Sequence, residues 1–204
     1  MKIRHENEDD YLEVEKLVRN SFWNLYRPGA YEHFIVHNLR NDESLVRNLA
    51  YVIEDDGIIV GHINYSIGKI HYENHVSQAV ILGPVAVDET RQNQGLGTRL
   101  ITHTLKIAEE DKIPFILVVG DENYYSRFGF ESASKYGIYL EGTGLDEENP
   151  FFMIKIFDGT ELAVEVGIFH SPDVFDVDEN ELDEFDRQFE YKEKLVLDTQ
   201  LKEL

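Results

Sequence analysis

The chain contains no cysteine. That excludes disulfide bridges, thiolate metal sites and a cysteine nucleophile together, and it fits a cytoplasmic setting. No run of eighteen apolar residues occurs, so no membrane-spanning helix is expected. The N-terminus, Met1 to Glu6, lacks the apolar core of a signal peptide and reads as the start of a strand. Positive charge is also scarce. Nineteen Lys and Arg face forty Asp and Glu, a formal net charge of −21. Nucleic acid and anionic membranes are bound through Lys and Arg, so this balance argues against both as partners. Two readings of the charge stay open: it keeps the chain soluble, or it draws cationic substrates such as amines. No internal repeat, low-complexity segment or linker interrupts the chain.

What is present suits one compact domain. The 204 residues are 42% apolar and 12% aromatic, enough for a sizeable core. The acids are unevenly spread: the longest stretch without Asp or Glu runs from Thr90 to Ala108 and carries Arg91, Arg99 and Lys106. An anion held there would feel these nearby cations more than distant, screened acids.

Periodicity predicts a strand at Lys2–His5, a helix over Asp9–Phe22, a break at Trp23–Gly29 and a second helix at Tyr31–Leu39. Strands follow at Ala50–Glu54 and Ile58–Ile67, joined by the turn residues Asp55, Asp56 and Gly57. Ala79–Val87 is nearly all apolar and reads as a central strand buried on both faces. Gly83-Pro84 in its middle predicts a bulge or splay, because proline cannot donate to the ladder. A helix is expected over Gly95–Asp111, a strand at Phe115–Val119 and a short helical turn at Asn123–Phe128. Phe151–Phe157 and Leu162–Phe169 read as a hairpin around Asp158-Gly159. Beyond Asp173 the chain is acidic, with a thin apolar stripe of Leu182, Phe185 and Phe189 on an expected helix. The fold class is α/β or α+β: a mixed, bent sheet of six or seven strands flanked by helices. Residues 1–169 are expected to form the domain, and 170–204 an acidic, partly helical extension packed on or flanking it.

The segment after Val87 carries the chemistry. Gln92, Asn93, Gln94, Gly95, Leu96 and Gly97 lead from the strand into a helix. Glycine lets backbone approach a ligand, and the first N–H groups of a helix are unpaired and partly positive, so they can hold a pyrophosphate. A P-loop is excluded because Thr98 and Arg99 follow Gly97 where Lys and Ser or Thr are needed. A Rossmann fingerprint lacks its last glycine, since Leu100 stands there. The pattern [QR]-x-x-G-x-[GA] fits fully. A glycine-bearing helix entry with no ligand is the bland alternative.

With these segments in view, the sequence resembles the GNAT N-acetyltransferase superfamily over about residues 1–157, most closely a bacterial, YhbS-like subgroup. Leu82-Gly83-Pro84-Val85-Ala86-Val87 resembles the splayed strand beside the CoA pantetheine. Gln92–Gly97 resembles the pyrophosphate loop. Tyr124-Tyr125-Ser126-Arg127-Phe128-Gly129-Phe130 resembles the Y-x-x-x-G-F segment. Glu32-His33, Leu39-Arg40 and Val60-Gly61-His62 are similar to the subgroup as well. One departure is that the family's pantetheine-contacting asparagine falls here near Val118. The resemblance implies acetyl-CoA as co-substrate, held by Val85, Ala86, Val87, Gln92, Asn93, Gln94, Gly95, Leu96, Gly97 and Thr98. It implies an amine acceptor of a small molecule or peptide, attacking the thioester directly, with Tyr125 as general acid. A homodimer stays open.

A lysine-like amine has a pKa of about 10.4, so on the order of one molecule in a thousand is neutral at neutral pH. A base or a desolvating pocket must help, and Glu73, His75, His62 and Glu32 are the candidates, with a water chain as the alternative. A backbone N–H at Val85–Val87 would hold the developing oxyanion. His33 and His37 stand four apart, but the Glu of H-E-x-x-H is absent, so no metal is expected. The rival function is a non-catalytic acyl-CoA sensor or partner-interaction module, with the acidic tail as docking arm. Acceptor-side loops are expected at Phe22–Tyr31, Ser66–Val76 and Ser134–Pro150.

Overall fold

The computed structural model describes residues 1–145, 149–162 and 165–200. Chain order is β1 (Lys2–His5), α1 (Tyr11–Phe22), α2 (Glu32–Leu39), β2 (Tyr51–Asp55), β3 (Ile58–His71), β4 (Val76–Val87), α3 (Leu96–Glu110) and β5 (Phe115–Val119). There follow α4 (Glu122–Tyr125), β6 (Glu131–Ser132), β7 (Ile138–Leu140), β8 (Phe152–Ile156), β9 (Gly167–His170) and α5 (Glu179–Asp186). Asp56 and Gly57, at φ 50° and 84°, turn β2 into β3. Paired positive φ suits a hairpin, because it matches the right-handed twist of the strands.

The strands form one mixed sheet in the order β1-β2-β3-β4-β5-β8-β6, with β9 joining β3 and β7. β4 runs parallel to β5, and β7 to β9; every other pairing is antiparallel. The sheet has nine strands, more than the six or seven expected, because β6 and β7 are too short to leave a periodic signature. The expected hairpin of Phe151–Phe157 with Leu162–Phe169 is not formed; Ala163 and Val164 within it lie outside the described residues. Both edges of β8 are already taken, by β5 and β6. β9 instead covers the edge of β3 at Lys69–His71, beyond the Ile58–Ile63 span where β2 pairs it. The expected loop Ser66–Val76 is likewise mostly strand, since β3 runs on to His71.

The amphipathic helices bury both faces of the sheet. On one face Leu96, Leu100, Ile101, Leu105 and Ala108 of α3 pack with Ile63, Tyr65, Leu82 and Val118. On the other, Val14, Leu17 and Val18 of α1 and Val36 of α2 pack with Val52, Ile59 and Ala86. Each fully buried Val, Leu or Ile among them stabilises by about 1.5–3 kcal/mol. The thin stripe expected in the tail is real. Leu182 is buried, and Phe185 lies 5.0 Å from Phe34 and 4.5 Å from His37 between ring centroids. Among the described residues no helix is long and apolar enough to cross a membrane.

Candidate active site

β4 breaks where the sequence places Gly83-Pro84. Ile63 pairs with Val85 but Tyr65 pairs with Leu82, so two residues of β4 oppose the single residue Asn64. The Gly83–Pro84 peptide is cis, and Gly83 has φ 137°, a value open to glycine alone. At the same point the sheet opens on the other side: β4 and β5 pair only at Val80–Leu82 with Ile116–Val118. Gly83, Pro84 and Val85 are therefore partly exposed in the middle of a nine-stranded sheet. Their backbone groups face a wedge between parting strands, where a flexible chain could be hydrogen-bonded as a strand would be.

The wedge runs toward the start of α3. Asp88 accepts from Thr90 N and closes a single helical turn, Glu89–Arg91. Asn93 at φ 59° and Gly95 at φ 79° then reverse the chain. α3 begins at Leu96 with no acid in its first turn and no side-chain cap on Gly95. A Cβ on Gly95 would meet open space. Gln92, Asn93, Gln94 and Gly95 are exposed, and Gly97 and Thr98 half-exposed. The free N–H groups of this turn thus face outward in a concentrated positive end. The two island arginines are engaged elsewhere: Arg91 Nη1 lies 3.3 Å from Asp55 Oδ2, and Arg99 reaches the Met1 sulfur. The backbone, more than these guanidinium groups, makes the cradle.

The tyrosine pair stands against both parts. A Cβ on Gly97 would lie 2.6 Å from the Tyr124 hydroxyl, and one on Gly120 would lie 2.4 Å from the Tyr125 ring. Glycine at 97 thus makes room for Tyr124, a contact that the sequence reading, which singled out Tyr125 alone, missed. Tyr125 is half-buried, edge-on to Phe130 at 5.8 Å. Burial pushes its hydroxyl above the usual phenol range, with smaller contributions from Tyr124 and Tyr26.

Tyr26 is the second missed residue. It sits in the break after α1, where the sequence shows only turn signals. Ser21 donates to Val87 O at 3.0 Å, fastening the end of α1 to the end of β4. Phe22 packs on the Ala86 cluster, and the Tyr26 ring lies 6.1 Å from Phe22. Tyr26 is 45% exposed, yet partial desolvation of its hydroxyl, and then the charges of Glu32 and Asp121, push it above the usual phenol range. Glu32 is itself raised by burial, against the N–H groups of its own residue and Tyr31.

Of the four candidate bases, Glu73 and His75 lie in the turn before β4, about 23 Å of strand from Gly83. His62 is fully buried, with Glu6 Oε2 3.9 Å from its Nε2. Glu32 is half-buried at the start of α2, and its charge reaches the Tyr26 hydroxyl. His33 Nε2 faces Asp186 at 3.0 Å and His37 Nδ1 faces Glu15 at 2.9 Å, so they turn to different partners. Among the described residues no group of three His, Asp or Glu could hold a metal ion.

A bent mixed sheet with a parted central pair, a glycine-led helix entry and a tyrosine turn beside it define an acyltransferase architecture. The sequence profile described as "Acetyltransferase (GNAT) domain" matches residues 2–133, and the chain belongs to that family of N-acetyltransferases. In particular, it is 32% identical over 146 residues to the uncharacterized N-acetyltransferase YhbS of Escherichia coli, covering 72% of this chain and 83% of that one. The crystal structure of Escherichia coli YhbS in complex with CoA superposes with a TM-score of 0.73 at 28% identity, over 86% of this chain and 92% of the other. A GNAT acetyltransferase from Brucella melitensis in complex with acetyl-CoA gives 0.67 at 25% identity, over 85% and 97%.

Proposed function

We propose that the protein transfers the acetyl group of acetyl-CoA to a primary amine of a small molecule or peptide. One observation carries the reading: an open helix entry, a parted β4–β5 wedge and a tyrosine turn meet along one continuous path, in a chain of the GNAT family. On this reading Gln92, Asn93, Gln94, Gly95, Leu96, Gly97 and Thr98 hold the pyrophosphate through backbone N–H groups. Val85, Ala86 and Val87 extend the pantetheine as a strand would, and an N–H near Val85 receives the thioester oxygen as it becomes an oxyanion. The neutral amine attacks the carbonyl carbon, the C–S bond breaks, and the thiolate takes a proton from Tyr125. Burial raises the tyrosine, and the same desolvation raises the thiol. The two therefore stay close enough for transfer within a hydrogen bond.

Residues 1–169 make the catalytic domain on this reading, and the extension from 170 onward braces it. Asp186 accepts from Arg19 Nε at 2.8 Å, and Glu193 O accepts from Trp23 Nε1 and Asn24 Nδ2, each at 3.0 Å. These contacts favour a built-in brace over a free docking arm.

The test is calorimetric titration with acetyl-CoA followed by thiol-release assays on amines. We expect near one-to-one binding, retained by Tyr125→Phe while turnover falls about a hundredfold or more. Turnover undiminished in Tyr125→Phe would remove the tyrosine from the mechanism. No binding at millimolar acetyl-CoA would remove the reading altogether.

A further inference from the structure

A chain of net charge −21 repels anions over most of its surface. Screening confines that repulsion to about 8 Å, so a local cluster of cations can reverse it. One such cluster rims a groove of about 320 Å³ on the flank of α3. The floor is apolar: Leu105 and Phe157, both buried, and the half-buried Phe128. The rim carries Lys106, Arg127 and Lys155 against one lining acid, Glu109. Aromatic rings, not carboxylates, hold two of these cations. Arg127 Nε donates to Tyr124 O at 3.0 Å, and its guanidinium lies 4.1 Å from the Tyr124 ring centre and 5.3 Å from that of Phe128. Lys155 Nζ lies 5.5 Å from the Phe157 ring centre, and 3.1 Å from where a Cβ on Gly129 would stand. Neither joins an ion pair among the described residues. Lys106 has Glu110 at 3.7 Å on the exposed helix surface, a pairing of little worth. Stacking fixes the two cations and leaves their remaining N–H groups for a ligand.

We propose that this groove is a second ligand site, separate from the acetyl-CoA path, for a small phosphate monoester carried on a flat apolar body. Three cations against one acid suit a dianion, and a phosphate monoester carries about two negative charges at neutral pH. The Arg127 fork can engage two of its oxygens at once. The floor of Leu105, Phe128 and Phe157 takes the apolar body. The groove lies apart from the helix entry. Lys106 stands about 13 Å along α3 from Gly97. In CoA a single ribose separates the pyrophosphate from the remaining phosphate, too short a bridge for that distance. Tyr124 is the wall between the two sites: its hydroxyl faces Gly97, and its ring carries Arg127. The groove is made by α3, the tyrosine turn and the end of β8, whatever the helix entry holds.

The probe is phenyl phosphate, titrated calorimetrically into the full chain, alone and saturated with acetyl-CoA. Inorganic phosphate and phenol are titrated beside it. We expect one site with a dissociation constant of about 1 mM or below, changed less than about threefold by acetyl-CoA. Phosphate and phenol should each bind at least about tenfold more weakly, since each meets only half of the groove. Lys155→Gln and Arg127→Gln should each weaken phenyl phosphate about tenfold. Thr102→Asp sets a carboxylate into the groove from an exposed position and should abolish binding. Lys16→Gln, on α1 at the opposite face of the sheet, removes the same charge and should change nothing. Thermal melting of each variant checks that it is folded. No saturation at about 10 mM, equal affinity for inorganic phosphate, or indifference to both Lys155→Gln and Arg127→Gln would overturn the site. So would displacement of phenyl phosphate by acetyl-CoA, which would make the groove part of the acetyl-CoA path. A chain that binds phenyl phosphate with the expected variant pattern but never acetyl-CoA would support this site and remove the acetyl-transfer reading alone.

Discussion

His62 makes the stability of this fold depend on pH in a way that one substitution can isolate. The ring is fully buried, with Glu6 Oε2 3.9 Å from Nε2, and neither nitrogen has a hydrogen-bond partner among the described residues. Burial pushes its pKa down from the ordinary value to about 4; Arg40 adds to this, while Glu6 and Asn64 oppose it. The folded protein therefore keeps the ring neutral where the unfolded chain, titrating at about 6.5, protonates it. Protons favour the unfolded state, so stability is intact above about pH 6.5 and falls as pH drops toward 4. A shift of this size costs about 2 kcal/mol near pH 5 and about 3 near pH 4. For a chain of this length that is about 4–8 °C of melting temperature near pH 5. The assay is thermal or urea unfolding of wild type and His62→Gln from about pH 7.5 to 4.5. Other groups whose charge changes in this range, including buried His33, act in both proteins and cancel. The gap between the two curves should shift by about 2 kcal/mol in favour of the variant at low pH. Parallel curves would refute the account and mean that His62 takes up its proton while folded.

Three further substitutions test packing and backbone. Asp186→Ala strips the carboxylate from Arg19 and His33, whose side chains are 6% and 0% exposed, and leaves the buried guanidinium with only the Glu190 carbonyl, 3.2 Å from its Nη1. It should cost about 3–5 kcal/mol by calorimetry, and a loss below about 1 would show that Arg19 finds another partner. Gly97→Ala sets a methyl 2.6 Å from the Tyr124 hydroxyl, so Tyr124 must swing away and acetyl-CoA affinity should fall about tenfold despite the better helix propensity of alanine. Gly95→Ala, which meets nothing, should instead cost about 1–2 kcal/mol of stability through its left-handed φ; the reverse pattern would misplace the cradle.

The long elements were legible because pattern and packing agree. β1 and β5 fall where alternation and apolar runs put them, and the break at Gly83-Pro84 followed from proline's missing N–H. The helix entry at Gly95 was legible for the same local reason. The pairing of β9 was not, because Gly167–His170 is too short to state its partner, and the edge of β3 is open to it only beyond Ile63, where the pairing with β2 stops. Tyr26 and Glu32 lie ninety or more residues from Tyr125. The end of α1 is fastened to β4 through Ser21 and Val87, and no spacing in the sequence records that.

The brace from the C-terminal segment has a kinetic consequence. The bonds from Glu193 to Trp23 and Asn24 span 170 and 169 residues, and that from Asp186 to Arg19 spans 167. Closing loops of such length is entropically the most costly step, and we expect these contacts to form after the sheet. The loop that carries Tyr26 and Arg27 is thus the last wall of the cleft to set and the first to loosen. In hydrogen exchange, Trp23–Gly29 and the stretch around Asp186–Leu195 should open together as one cooperative unit, at a lower free energy than β4 and β5 beneath them.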